Sequence, residues 1–174
     1  LHFELSGPAE AVYPGDEVTV VVSLVENPGI AMIDAKPVFD KNVFELVKIS
    51  KVGEMSWTTG TGAFFVEAEN TYFTGETLKI VFKVKESAAY GDYTLGLNIE
   101  LAANENEEIV EGSATTVAIK VVAKPVTGIS LDKSELTLDQ GKTATLTATV
   151  EPADAGDKTV TWTTSDANVA TVEN

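Results

Sequence analysis

The side chains able to do chemistry in this chain are few in kind. Cysteine is absent and His2 is the single histidine. A thiol nucleophile, a Cys-based zinc site and a disulfide framework are therefore excluded. A histidine triad would have to use His2, on the polar side of Leu1-His2-Phe3-Glu4-Leu5, and His2 reads as a solvated strand residue. Carboxylates are abundant, but paired carboxylates cleave glycosidic bonds only at set separations inside a cleft. No acid stands apart from the surface pattern, so no catalytic residue is assigned and the chain is read as a non-enzyme. Asn104-Glu105-Asn106-Glu107-Glu108 offers the oxygen ligands that calcium takes. It lacks EF-hand spacing and the glycine of the sharp turn. It reads as a solvated hairpin tip, and neither a metal nor a cofactor is assigned to this chain.

Residues suited to binding are easier to find. Period two places Ala31, Ile33, Ala35, Pro37 and Phe39 on one face of a strand, and Met32, Asp34, Lys36 and Val38 on the other. The first set is small or apolar, as a core face requires. The second mixes an exposed Met and Val with charges, a composition that interfaces favour. Pro37 lacks a ladder donor, which marks an edge or a bulge. Trp57 lies in the polar, glycine-containing stretch Met55–Gly60, where an exposed indole can stack on a sugar or anchor a partner. Tyr72 precedes the Thr74-Gly75 turn and is a second candidate for carbohydrate binding. Tyr93 alternates with Leu95 and reads as core.

The elements that must position these residues are strands. Val18, Val20, Val22 and Leu24 share a face, as do Leu78, Ile80, Phe82 and Val84. Tyr93, Leu95, Leu97, Ile99 and Leu101 alternate with polar residues, and Val117, Ile119 and Val121 repeat the pattern. Such alternation argues half-buried antiparallel strands. Pro14-Gly15-Asp16, Asn27-Pro28-Gly29, Thr59-Gly60-Thr61-Gly62, Thr74-Gly75 and Tyr90-Gly91-Asp92 separate them as turns. The spacing predicts an all-β sandwich, with one helical turn at most, over Glu86–Tyr90.

The chain has 174 residues, which fits one large domain or two small ones. A boundary is expected near Ala123-Lys124-Pro125, giving units 1–123 and 124–174. In the second unit, short strands are expected at Ile129–Leu131, Leu136–Leu138, Ala144–Val150, Val160–Thr164 and Val169–Val172, with Trp162 in the core. The chain stops at Asn174 directly after an apolar strand. The second unit is therefore expected to be incomplete at its C-terminus, with the parent protein continuing. Hydrophobic residues make up 44 %, enough for a core. Twelve lysines, no arginine and 27 acids give a net charge of −15, which repels a polyanion and excludes a basic nucleic-acid binder. No apolar run approaches the roughly 18 residues that span a bilayer, so membrane insertion is not expected.

Tyr13-Pro14-Gly15-Asp16-Glu17-Val18-Thr19-Val20, Asn27-Pro28-Gly29-Ile30-Ala31-Met32-Ile33-Asp34 and Val38-Phe39-Asp40-Lys41-Asn42-Val43-Phe44-Glu45-Leu46 follow one another in order. With Gly75–Lys85 and Tyr90–Leu95 they resemble the cohesin module of cellulosome scaffolds. The resemblance implies a cohesin-like jelly-roll β-sandwich, and a non-catalytic module that docks a dockerin on one sheet face. It implies that calcium belongs to the dockerin, not to this chain. In the family's first type an Asn and an Asp, two apart, face the dockerin. The matching places here are Met32 and Asp34, so Met32, Asp34, Lys36 and Val38 are the expected partner-binding residues. Val126–Asp132, Thr143–Ala155, Thr159–Ser165 and Val169–Val172 resemble a group 2 bacterial immunoglobulin-like repeat. That resemblance implies a partial immunoglobulin-like β-sandwich and a bacterial surface or secreted protein. The expected partner is a dockerin-bearing protein, such as a polysaccharide-degrading enzyme, in an extracellular setting. Two alternatives stand beside it: a carbohydrate-binding module using Trp57 and Tyr72, and a structural stalk segment of a bacterial surface adhesin.

Overall fold

The computed structural model describes residues 1–52, 57–59, 64–67 and 72–173, the two short segments by their backbone alone. The chain divides into two compact units, Leu1–Val122 and Ala123–Asn174. The expected Gly60–Gly62 turn lies outside the described residues.

The first unit is built from β1 (His2–Ser6), β2 (Glu17–Glu26), β3 (Ile30–Val38), β4 (Phe44–Lys51), β5 (Trp57–Thr59), β6 (Phe64–Glu67), β7 (Gly75–Val84), β8 (Gly91–Asn104), β9 (Ser113–Ala114) and β10 (Val117–Val121). One five-stranded sheet runs β4-β7-β2-β1-β9 and the other β10-β8-β3-β6-β5. All pairings are antiparallel except β1 with β9. Among the described residues there is no helix, and Glu86–Tyr90 is a turn.

The alternation explains the layering. Val18, Val20, Val22 and Leu24 of β2 and Leu78, Ile80, Phe82 and Val84 of β7 are all buried. They form one core with Ile33 and Ala35 of β3, Leu95 of β8, and Ile119 and Val121 of β10. Burial of this apolar surface is the main favourable term in folding. Phe39, Phe44, Phe82 and Tyr93 form a run of edge-to-face ring contacts, with centroids 5.0 to 6.4 Å apart. Tyr93 is half-buried against the core rather than sealed in it, because its hydroxyl donates to the Ala89 carbonyl at 2.9 Å.

Register shifts adjust the pleat at five described places, and three of them set which residues face the core and which face out. On β7 the register passes from Val22↔Leu78 to Ser23↔Glu76, which leaves Thr77 unpaired. Thr77 is buried, and its hydroxyl donates to the Val22 carbonyl at 2.9 Å. On β4 the register skips Val47, which is exposed. On β8 it skips Glu100, passing from Asp34↔Leu101 to Ala35↔Ile99. This last bulge corrects the expected face of Leu101: the extra residue turns Leu101 out to solvent and puts Ala102 in the core. Pro37 pairs with Leu97 of β8 on one side; on the other, the described part of β6 covers Met32–Ala35, so among the described residues no ladder bond is asked of Pro37 there.

The second unit is a partial immunoglobulin-like segment. β11 (Gly128–Leu131) and β12 (Ala148–Glu151) pair antiparallel, and no other strand forms among its described residues. The strands expected at Leu136–Leu138, Val160–Thr164 and Val169–Val172 are absent there, and only the end of Ala144–Val150 is a strand. Leu136, Leu138, Val169 and Val172 are exposed, and Trp162 is half-buried, not core. Two strands cannot enclose a core, so alternation in the remaining segments has no opposing face to bury against.

Replacing Thr77 with Val keeps the shape and removes the donor to a buried carbonyl. The expected loss is about 1–3 kcal/mol, read from urea denaturation of the full chain. An unchanged midpoint would show that the Val22 carbonyl is satisfied another way.

Candidate interaction face

β3 sits between β8 and β6, and its inward residues decide its outward ones. Ile33 and Ala35 are sealed in the core, so Met32, Asp34, Lys36 and Val38 stand on the outer face. Met32 is 41 % and Val38 53 % exposed, large values for apolar side chains within a sheet. The structure thus brings the four expected partner-binding residues together on one strand face.

β8 completes the face. Leu101 stands across from Asp34, Asn98 across from Lys36, and Gly96 across from Val38. Leu101 and Glu100 are both exposed there, and reasoning from the sequence missed both. The available signal was the run Leu101-Ala102-Ala103: three adjacent apolar residues cannot all obey period two. On the β6 side, Glu67 is in register with Met32 and Phe65 with Asp34; this concerns their backbone alone.

The charges are ordered. The Lys36 ammonium donates to Glu100 Oε2 at 2.5 Å, crossing from β3 to β8. That hydrogen bond holds the Lys36 pKa above its ordinary value of 10.5, and the charges of Glu100 and Asp34 act in the same direction. Asp34 Oδ1 is sealed from solvent and receives no hydrogen bond among the described residues. A buried polar atom without a partner is costly; Asp34 as a whole is half-buried, so an incoming donor meets it at its exposed atoms and not at Oδ1.

The other sequence candidates lie elsewhere. Trp57 begins β5 at the edge of the same sheet, in register with Val66, and its side chain lies outside the described residues. Tyr72 is 68 % exposed. Its ring lies over Gly29, where a Cβ would come within 3.0 Å of it. Gly29 has φ +98°, and Asn27 Oδ1 accepts from the Gly29 and Ile30 amides at 3.0 Å each. Asn27 Nδ2 donates to the Phe73 carbonyl at 2.9 Å, which ties the start of β3 to the segment bearing Tyr72. His2 Nδ1 pairs with Ser113 Oγ at 2.8 Å. The Asn104 carboxamide oxygen accepts from the Asn106 and Glu108 amides at 2.9 Å, closing the acidic hairpin tip. Among the described residues, no group of three or more His, Cys, Asp or Glu is placed to hold a metal ion. No described helix is long and apolar enough to cross a membrane.

Residues 4–123 match the family model for the cohesin domain, and residues 125–174 that for the group 2 bacterial Ig-like domain. The third ScaC cohesin of Acetivibrio cellulolyticus, solved with a ScaB dockerin, is similar at a TM-score of 0.56 and 17 % identity, over 70 % of this chain and 99 % of that one. The seventh ScaB type I cohesin of Pseudobacteroides cellulosolvens gives 0.55 and 21 %, over 74 % and 97 %. A non-cellulosomal cohesin of the archaeon Archaeoglobus fulgidus gives 0.51 and 13 %, over 71 % and 93 %. These likenesses establish the sandwich fold. An Ig-like virion protein of Serratia phage KSP90 is 42 % identical over 79 residues, which is 45 % of this chain. The match spans only 30 % of that relative's length.

The raised Lys36 pKa sets a pH window for the ion pair. A lysine whose folded pKa is raised contributes fully below its unfolded value and loses that contribution as pH climbs through the folded value. The Lys36 13Cε resonance is therefore expected to titrate above 10.5, and Glu100→Gln to bring it back toward 10.5. Identical titrations in the two proteins would show that the pair does not persist in solution.

Proposed function

Because the chain belongs to the cohesin family, we propose that its first unit is a non-catalytic receptor that docks a calcium-loaded dockerin on the outer face of β3 and β8. The observation that carries this reading is the outer face itself. Met32, Val38 and Leu101 are exposed apolar groups set around the half-buried Asp34. Apolar contact drives association, and a few central side chains dominate its energy. Asp34 accepts hydrogen bonds from the partner, while Met32, Val38 and Leu101 supply buried area. Lys36 belongs to the same face through Glu100.

The two families together support a setting for this module. The module works outside the cell, on a bacterial surface or in a secreted protein, with the immunoglobulin-like segment as a spacer. The dockerin brings the calcium and the attached enzyme. The net charge of −15 favours a dockerin with a basic face and makes association sensitive to salt.

The test is calorimetric titration of the full chain against a panel of dockerins, with calcium and then with chelator. Calcium-dependent binding is expected, weakened about tenfold or more by Leu101→Ala or Asp34→Ala. Val47→Ala, on the other sheet, is expected to change nothing. No binding across the panel, or equal loss from Val47→Ala, would overturn the assignment. Soluble polysaccharides are titrated in parallel by Trp fluorescence; saturable binding there, with no dockerin bound, would move the function to sugar recognition.

A further inference from the structure

Resting on the docking face described above, we propose that Glu100 is a positioning residue: it draws the Lys36 ammonium away from Asp34, leaving that carboxylate free for a cationic side chain of the partner. Asp34 and Lys36 share a strand face at a separation of about 7 Å, well within the span of a lysine side chain. Left alone, Lys36 would pair with Asp34 and neutralise it. Its ammonium instead sits 2.5 Å from Glu100 Oε2.

The bulge on β8 sets the position of Glu100. In an unbroken register, with Ala35 across from Ile99, Glu100 would stand directly across from Asp34. Two carboxylates on directly opposed positions repel. The extra residue in β8 removes this clash. It puts Leu101 across from Asp34 and leaves Glu100 unpaired in the ladder, between the Asp34 and Ala35 positions. There Glu100 reaches Lys36 on the diagonal.

Charge decides the chemistry of the partner group. Asp34, Lys36 and Glu100 together carry one uncompensated negative charge. It rests on the half-buried Asp34, because Lys36 is engaged by Glu100. A neutral donor would hydrogen-bond the carboxylate and leave its charge buried under the partner. A lysine or arginine satisfies both, which is why the partner group is assigned as a cation.

The test is a cycle of Glu100→Gln, Lys36→Met and the double variant in the full chain. Without any partner, Glu100→Gln is expected to shift the Asp34 carboxylate 13C resonance, assigned by Asp34→Asn, as Lys36 swings across. Adding Lys36→Met is expected to abolish that shift. Against a calcium-loaded dockerin that binds the wild type, Glu100→Gln is expected to weaken affinity about tenfold, and the double variant to restore it. The salt dependence of binding is expected to be steeper for wild type than for Asp34→Asn. An unmoved Asp34 resonance, or a double variant no better than Glu100→Gln, overturns the positioning role. Equal salt slopes overturn the cationic partner group. In either case, loss of binding in Leu101→Ala keeps the docking reading. If no dockerin binds, the docking reading fails, and the resonance cycle still decides what Glu100 does to Lys36.

Discussion

Ile33 and Ala35 are the two residues on which the face depends. A strand can bury only every second side chain, and these two are sealed in the core of the sandwich. Everything outward on β3 follows: Met32, Asp34, Lys36 and Val38 have no other place to go. A slip of one residue would drive Asp34 and Lys36 into the core, at the cost of burying two charges. The proposed docking face is therefore held by the core beneath it. The Asn27 cap adds a local anchor, since it ties the entry to β3 to the Phe73 carbonyl.

The same pleat explains what the sequence told and what it withheld. Strands β2, β3, β7, β8 and β10 were legible because each alternates without ambiguity over its buried part. The outward set on β3 was legible for the same reason. Leu101 was not, because the alternation from Tyr93 through Ile99 runs smoothly on into it. A bulge adds one residue without altering composition, so period two reads straight through it. Thr77 was hidden likewise: it is a polar residue at a skipped position, buried because its hydroxyl replaces a ladder bond.

The second unit has the pattern without the opposing surface. Its Thr-rich alternation is clear in the sequence, yet only Gly128–Leu131 and Ala148–Glu151 are paired. Alternation says which face of a segment would be buried. It does not supply the opposing sheet. In the first unit, two five-stranded sheets provide that opposition and every alternating run becomes a strand. In the second, Leu136, Leu138 and Val169 alternate as core residues do and stay exposed. Pattern is thus a necessary condition, and a partner surface is the sufficient one.

The bulge on β8 links the fold to its electrostatics. A sheet that buried its core equally well without the bulge would set Glu100 against Asp34 on the outer face, and that repulsion would fall on the proposed docking face. Turning Leu101 outward exchanges a carboxylate neighbour for an apolar one, so the same extra residue supplies both contact area and a less repulsive site. It also moves Glu100 to within hydrogen-bond distance of Lys36. The long-range field of a strongly acidic chain would draw a basic partner near, but a long-range field alone does not select an orientation. On the proposed reading, selection needs local order: a half-buried carboxylate, a tethered ammonium and three apolar groups in fixed positions. All of these stand on two paired strands whose register is set by core residues beneath them.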